Sequence, residues 1–134
     1  MRSSKAAFTF MVLAFAATLP ASAIGETIVL TFEKECELKN AELICEPSYK
    51  TAEIYSKDGN WYGGKGQWTD NNRKLERIQE DRNFLVLKNA VSFSGSSIVH
   101  ISKASGRFYW TEMAYSEMLK ADDTHVRMGR ATTK

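Results

Sequence analysis

The sequence predicts an all-β domain, a small antiparallel β-barrel or sandwich carrying one disulfide-linked hairpin. Three observations predict it. Short runs rich in β-branched and aromatic residues recur with turn residues between them. The two cysteines fall at facing positions of a hairpin, and Pro47 is the one proline after the N-terminal leader. An α+β domain with one or two short helices is the alternative, because two segments have helical propensity.

Residues 1–23 read as a cleavable signal peptide. Arg2 and Lys5 make a positive opening, Ala6 to Leu19 is an uncharged apolar stretch of 14 residues, and Ala21-Ser22-Ala23 is the small-x-small pattern of a signal peptidase site. That stretch is short for a bilayer span of roughly 20 residues, and Ile24, not a lipid-accepting cysteine, follows the cut. Taking 23 residues, two of them basic, from 134 with 18 basic and 16 acidic leaves 111 with 16 of each sign. A formally neutral chain offers no electrostatic case for nucleic acid, and no second apolar segment approaches spanning length. The expectation is one domain over residues 24–134, periplasmic or secreted, with 131–134 as a flexible tail and no stable membrane insertion.

Thr27 to Phe32 opens the strand series. Cys36 and Cys45 follow. In a hairpin centred on Asn40-Ala41, Cys36 faces Cys45 and Leu38 faces Leu43, all on one side of the ribbon. A slip of one residue would part the sulfurs and turn both leucines over, so the two pairs support one register. In an exported chain the pair reads as a disulfide contributing roughly 2 to 3 kcal/mol. Ala41 is unsuited to positive φ, which leaves a loop longer than two residues open as the alternative.

Thr51 to Ser56 places Ala52 and Ile54 on one face, and Asp58-Gly59-Asn60 turns the chain into Trp61-Tyr62-Gly63-Gly64-Lys65-Gly66-Gln67-Trp68. Arg73 to Glu80 contains strong helix formers after a capping-type Asp70-Asn71-Asn72, leaving helix and strand both open. Phe84 to Leu87 is apolar without alternation, as in a strand covered on both faces. Val99 and Ile101 alternate with polar residues, Lys103 to Gly106 forms a turn, and Arg107 to Trp110 is the next strand. Ala114 to Ala121 again has helical propensity, and His125 to Arg130 closes the sheet.

Catalytic and metal signatures are weak. Gly59 to Lys65 matches the opening of a Walker A loop, but Gly66 stands where a magnesium-binding hydroxyl is required. His100 and His125 lie in no metalloprotease spacing and near no cysteine ligands, so neither a metal nor a cofactor is expected. Glu80-Asp81 and Asp122-Asp123 are adjacent, and adjacent strand residues point to opposite faces. The chain is not read as an enzyme, with a small hydrolase kept as an alternative.

Aromatic residues are the informative excess, with every Trp and Tyr after the leader. Along the strand from Arg107 both faces are apolar: Phe108 and Trp110 on one, Tyr109, Met113 and Tyr115 on the other. One face suffices for a core, so the second is expected to line a pocket or meet a partner. The expected contact surface joins Trp61, Tyr62, Gly64 and Trp68 to Ser105, Gly106, Tyr109, Met113 and Tyr115. The function read from this is a non-catalytic binding or interaction domain of the cell envelope whose ligand is a protein or small molecule.

Ser105-Gly106-Arg107-Phe108-Tyr109 resembles the Ser-Gly-x-x-Tyr signature of the small periplasmic β-barrel inhibitors of c-type lysozyme. The similarity covers five residues. It implies an alternative function, inhibition of a cell-wall hydrolase, carried by a Ser-Gly loop that projects from the barrel.

Overall fold

The computed structural model describes residues 24–66, 72–91 and 95–134. The expected signal peptide and Trp68 lie outside the described residues. Among the described residues nine antiparallel strands follow in chain order: β1 (Ile24–Lys39), β2 (Glu42–Pro47), β3 (Thr51–Lys57), β4 (Asn60–Gly66), β5 (Lys74–Glu80), β6 (Phe84–Val91), β7 (Gly95–Ser102), β8 (Arg107–Ser116) and β9 (Ala121–Thr133). Neighbours pair in sequence from β3 to β9, and β1 joins β9 to β3, closing an eight-stranded barrel with β2 as an additional strand. There is no helix among the described residues.

Both segments with helical propensity are strands. Lys74–Glu80 is β5, in which Leu75 points into the core while Ile78 is exposed, so their helical spacing is incidental. Ala114 to Ala121 spans the end of β8, a turn at 117–120 and the first residue of β9. Eight-residue helices are marginal without packing, and the pairing offered by β4, β6 and β9 overrides propensity. Residues 131–133, expected as a tail, end β9 in register with Ile28 to Leu30, and Lys134 donates its backbone N–H to the Thr27 carbonyl.

The barrel interior is filled by side chains, as eight strands dictate. Phe32, Phe108, Leu30, Ile54, Leu85 and Leu87 are essentially without solvent contact, and Phe32 meets the Phe108 ring edge-to-face at 5.3 Å. In the unalternating run, Leu85 and Leu87 are in this core, Val86 is buried on the other face, and Phe84 is exposed.

The long strand β1 changes its facing side midway. Phe32 pairs with Gly129 and Lys34 with Met128, leaving Glu33 as a bulge. Before it, Ile28, Leu30 and Phe32 face the core; after it, Glu35 and Glu37 occupy that face and Cys36 and Leu38 the opposite one. A Cβ on Gly129 would collide with the Thr31 carbonyl, so glycine is what lets β9 accept the bulge.

Since β9 occupies one edge of β1 from Ile28 to Glu37, β3 and β2 follow one another along the other edge. The hairpin β1–β2 therefore continues the sheet past the barrel wall, beside the outer halves of β9 and β8. Its register pairs Cys36 with Cys45 and Leu38 with Leu43, and the cysteines form the expected disulfide. The hairpin is centred on Asn40-Ala41 as its register required, without the longer loop. Asn40 and Ala41 alone make the turn at φ 49° and 62°, the primed geometry that suits the twist of a two-residue hairpin, and Ala41 accepts the strain.

Candidate functional site

The four-stranded extension formed by β2, β1, β9 and β8 has two chemically distinct faces. On the outer face the register aligns Cys45, Cys36, Val126 and Thr111 across the sheet, with Leu43, Leu38 and Met113 one rung further out. Leu38, Leu43, Tyr109, Met113 and Tyr115 are 43 to 57% exposed. The β8–β9 turn adds a bare apolar tip, with Met118 92% and Leu119 75% exposed. Isolated exposed apolar residues are ordinary, but here several gather on one face of the extension and at the turn that ends it.

The inner face carries charge. A groove of about 330 Å³ is lined by Glu35, Glu37, Lys39, Glu46, His125 and Arg127, among others. Arg127 forms its floor, with only 3% of its side chain exposed, donating from Nε to Glu35 at 3.3 Å and from a terminal nitrogen to Glu112 at 3.3 Å. Lys50 reaches Glu35 at 3.3 Å. Burial pushes the Glu35 carboxyl upward, but its bonds to Ser48, Lys50 and Arg127 outweigh this and hold it below its ordinary value. One rung out, Glu37 and Glu112 pair with His125 across the strands on its two sides, and Asp123 Oδ1 lies 2.8 Å from His125 Nε2.

The single contact surface expected from the sequence is not formed. Trp61 is a core residue, 3% exposed, with its indole N–H donated to Glu80 at 3.3 Å. Tyr62 stacks on Tyr55 at 5.4 Å, and Gly64 lies so close to β3 that a Cβ would sit 2.9 Å from the Glu53 carbonyl. These residues belong to β4, which is as far from β8 as the ring of strands allows. Aromatic content identified both strands, but not where the ring of strands would place them.

Tyr109, Met113 and Tyr115 do share the outer face of β8. Ser105 and Gly106 lie at the opposite end of β8 from Met118, in a compact turn. Gly106 has φ 66° and donates to the Ser102 carbonyl, its own carbonyl accepts from Ala131, and the Ser105 hydroxyl accepts from the Arg107 N–H at 3.3 Å. The Ser-Gly segment singled out by the lysozyme-inhibitor resemblance is the exposed turn of residues 103–106 between β7 and β8. His100 sits on the outward side of β7, exposed and paired with Tyr109, whereas His125 is in the groove, so the histidines do not face each other.

Sequence reading missed Met118 and Leu119. Their signal was two adjacent large apolar residues inside a segment that becomes a turn, where polar residues are usual. The grouping of Glu37 with Asp123 and His125 was also missed, because β1 and β9 meet only when the barrel closes. No family model, no curated protein and no solved structure matches this chain.

Proposed function

We propose that this is a non-catalytic binding module of the cell envelope that docks a protein partner through the apolar outer face and tip of its sheet extension. The observation that carries the reading is the exposure, on one sheet extension, of Leu38, Leu43, Met113 and Tyr115 together with Met118 and Leu119. The filled barrel interior supports surface recognition over enclosure of a small ligand. The turn at the tip and the first rungs of β9 carry Glu117, Asp122 and Asp123 against Lys120. This acidic surround favours a partner whose apolar site is rimmed by basic residues and disfavours an anionic lipid surface. The disulfide fits an oxidising compartment, and no described helix is long and apolar enough to cross a membrane. We place the module in the periplasm or outside the cell after removal of residues 1–23, which an intact mass beginning at Ile24 would establish and one retaining Met1 would reject.

Site-specific photo-crosslinking in exporting cells tests the docking face. A photoreactive residue at Met113 or Met118 should give one discrete adduct that is absent when the probe is at Tyr55, on β3 away from the extension. Equal adducts from all three positions, or none from the tip, would overturn the reading. A wall hydrolase in the adduct whose activity falls on addition of the purified module would support the inhibitor reading, with a contact at the tip.

A further inference from the structure

We propose that Glu37, Asp123 and His125 form a binding site for a borderline divalent transition-metal ion of the Zn²⁺ type in the groove on the inner face of the extension. The three donor groups lie within 4.8 Å of one another. Ligands on one tetrahedral zinc ion, each about 2.0 to 2.2 Å from it, stand about 3.3 to 3.6 Å apart, so the widest pair closes by up to about 1.5 Å and His125 Nε2 and Asp123 Oδ1, now 2.8 Å apart, open slightly to admit the ion.

The backbone fixes the arrangement. Glu37 and His125 are direct cross-strand partners on β1 and β9, and Asp123 stands two residues from His125 on the same face. The Glu33 bulge is what turns Glu37 toward this side. Beyond His125, Glu112 occupies the same rung on β8 and adds a further carboxylate to the surroundings of the imidazole.

The local cations do not preclude an ion. Arg127 is engaged by Glu35 and Glu112, and Lys39 holds Glu37 through Oε2 at 3.2 Å, leaving Oε1 for coordination. One imidazole nitrogen with two carboxylates suits zinc, nickel or copper; calcium and magnesium call for a shell of oxygens. Glu37 and His125 line the open groove and Asp123 is exposed beside it, so solvent has access to supply the remaining ligands of a bound ion.

Calorimetric titration of the untagged, disulfide-intact, chelator-treated chain with ZnCl₂ tests the site. The expected result is saturable binding of one ion per chain, weakened at least tenfold by His125→Gln and by Asp123→Asn. His100→Gln should leave it unchanged, and CaCl₂ should give no saturable binding. Circular dichroism checks the variants. Where His125→Gln does not fold, the parent's imidazole NMR signals decide, with His125 shifted by Zn²⁺ and His100 unmoved. The proposal is overturned if Zn²⁺ shows no saturable binding, if a folded His125→Gln binds as the parent does, or if His100 responds in place of His125.

Discussion

Replacing Trp61 with alanine separates the structural role of this residue from the contact role its sequence context suggested. Trp61 is 3% exposed, so nearly its whole side chain leaves water on folding. An indole buries roughly 200 Å², which at about 25 cal/mol per Å² corresponds to about 5 kcal/mol. Partial collapse of the site moderates this and the lost bond to Glu80 adds to it, so the expected cost is about 4 kcal/mol. That is a large part of the roughly 5 to 15 kcal/mol of an ordinary domain. With a urea slope of about 2 kcal/mol/M, the unfolding midpoint should fall by about 2 M. Tyr109→Ala, on a ring already 51% exposed, should cost under about 1 kcal/mol. A Trp61→Ala midpoint within about 0.5 M of the parent, at unchanged slope, would refute the placement of Trp61 in the core.

Three further outcomes are expected. Ala41→Gly should stabilise the chain by about 1 kcal/mol in urea unfolding, because Ala41 holds φ 62° and glycine adopts this conformation without a steric penalty; a loss of stability would contradict the two-residue turn. Gly129→Ala should cost about 2 to 3 kcal/mol through the clash with the Thr31 carbonyl at the β1 bulge, and an unchanged melting temperature would contradict that packing. Because the Glu35 carboxyl titrates lower folded than unfolded, its stabilisation is complete above the ordinary carboxylate range and is lost as pH falls through that range to the folded value. Glu35→Gln should therefore flatten the melting-temperature profile between about pH 5 and pH 3, and an equally steep acid limb would count against the Ser48, Lys50 and Arg127 contacts.

The β1–β2 hairpin was legible because two requirements, sulfur pairing and a shared face for Leu38 and Leu43, agree on one register. Arg73 to Glu80 was ambiguous because its residues favour helix locally while the decisive contacts come from strands on both sides. The location of Trp61 was not legible either: glycines flanking an aromatic show that the backbone is approached closely, not which face the ring takes. The phase change of β1 escaped notice because a bulge has no side-chain signature at Glu33. It depends on Gly129 in a distant strand, and the charged groove depends in turn on the bulge. Aromatic patterning did identify the outer face of β8, since a strand apolar on both sides has one more face than its core uses.

The most direct measurement of the docking claim is the affinity of the partner cross-linked at the tip for the Met118→Ser/Leu119→Ser variant. Both residues are exposed in a turn, so folding stability should stay within about 0.5 kcal/mol of the parent. As apolar anchors worth about 1 to 3 kcal/mol each, they should together account for a loss of at least about thirtyfold in affinity. Parental affinity in the stably folded variant would contradict the account.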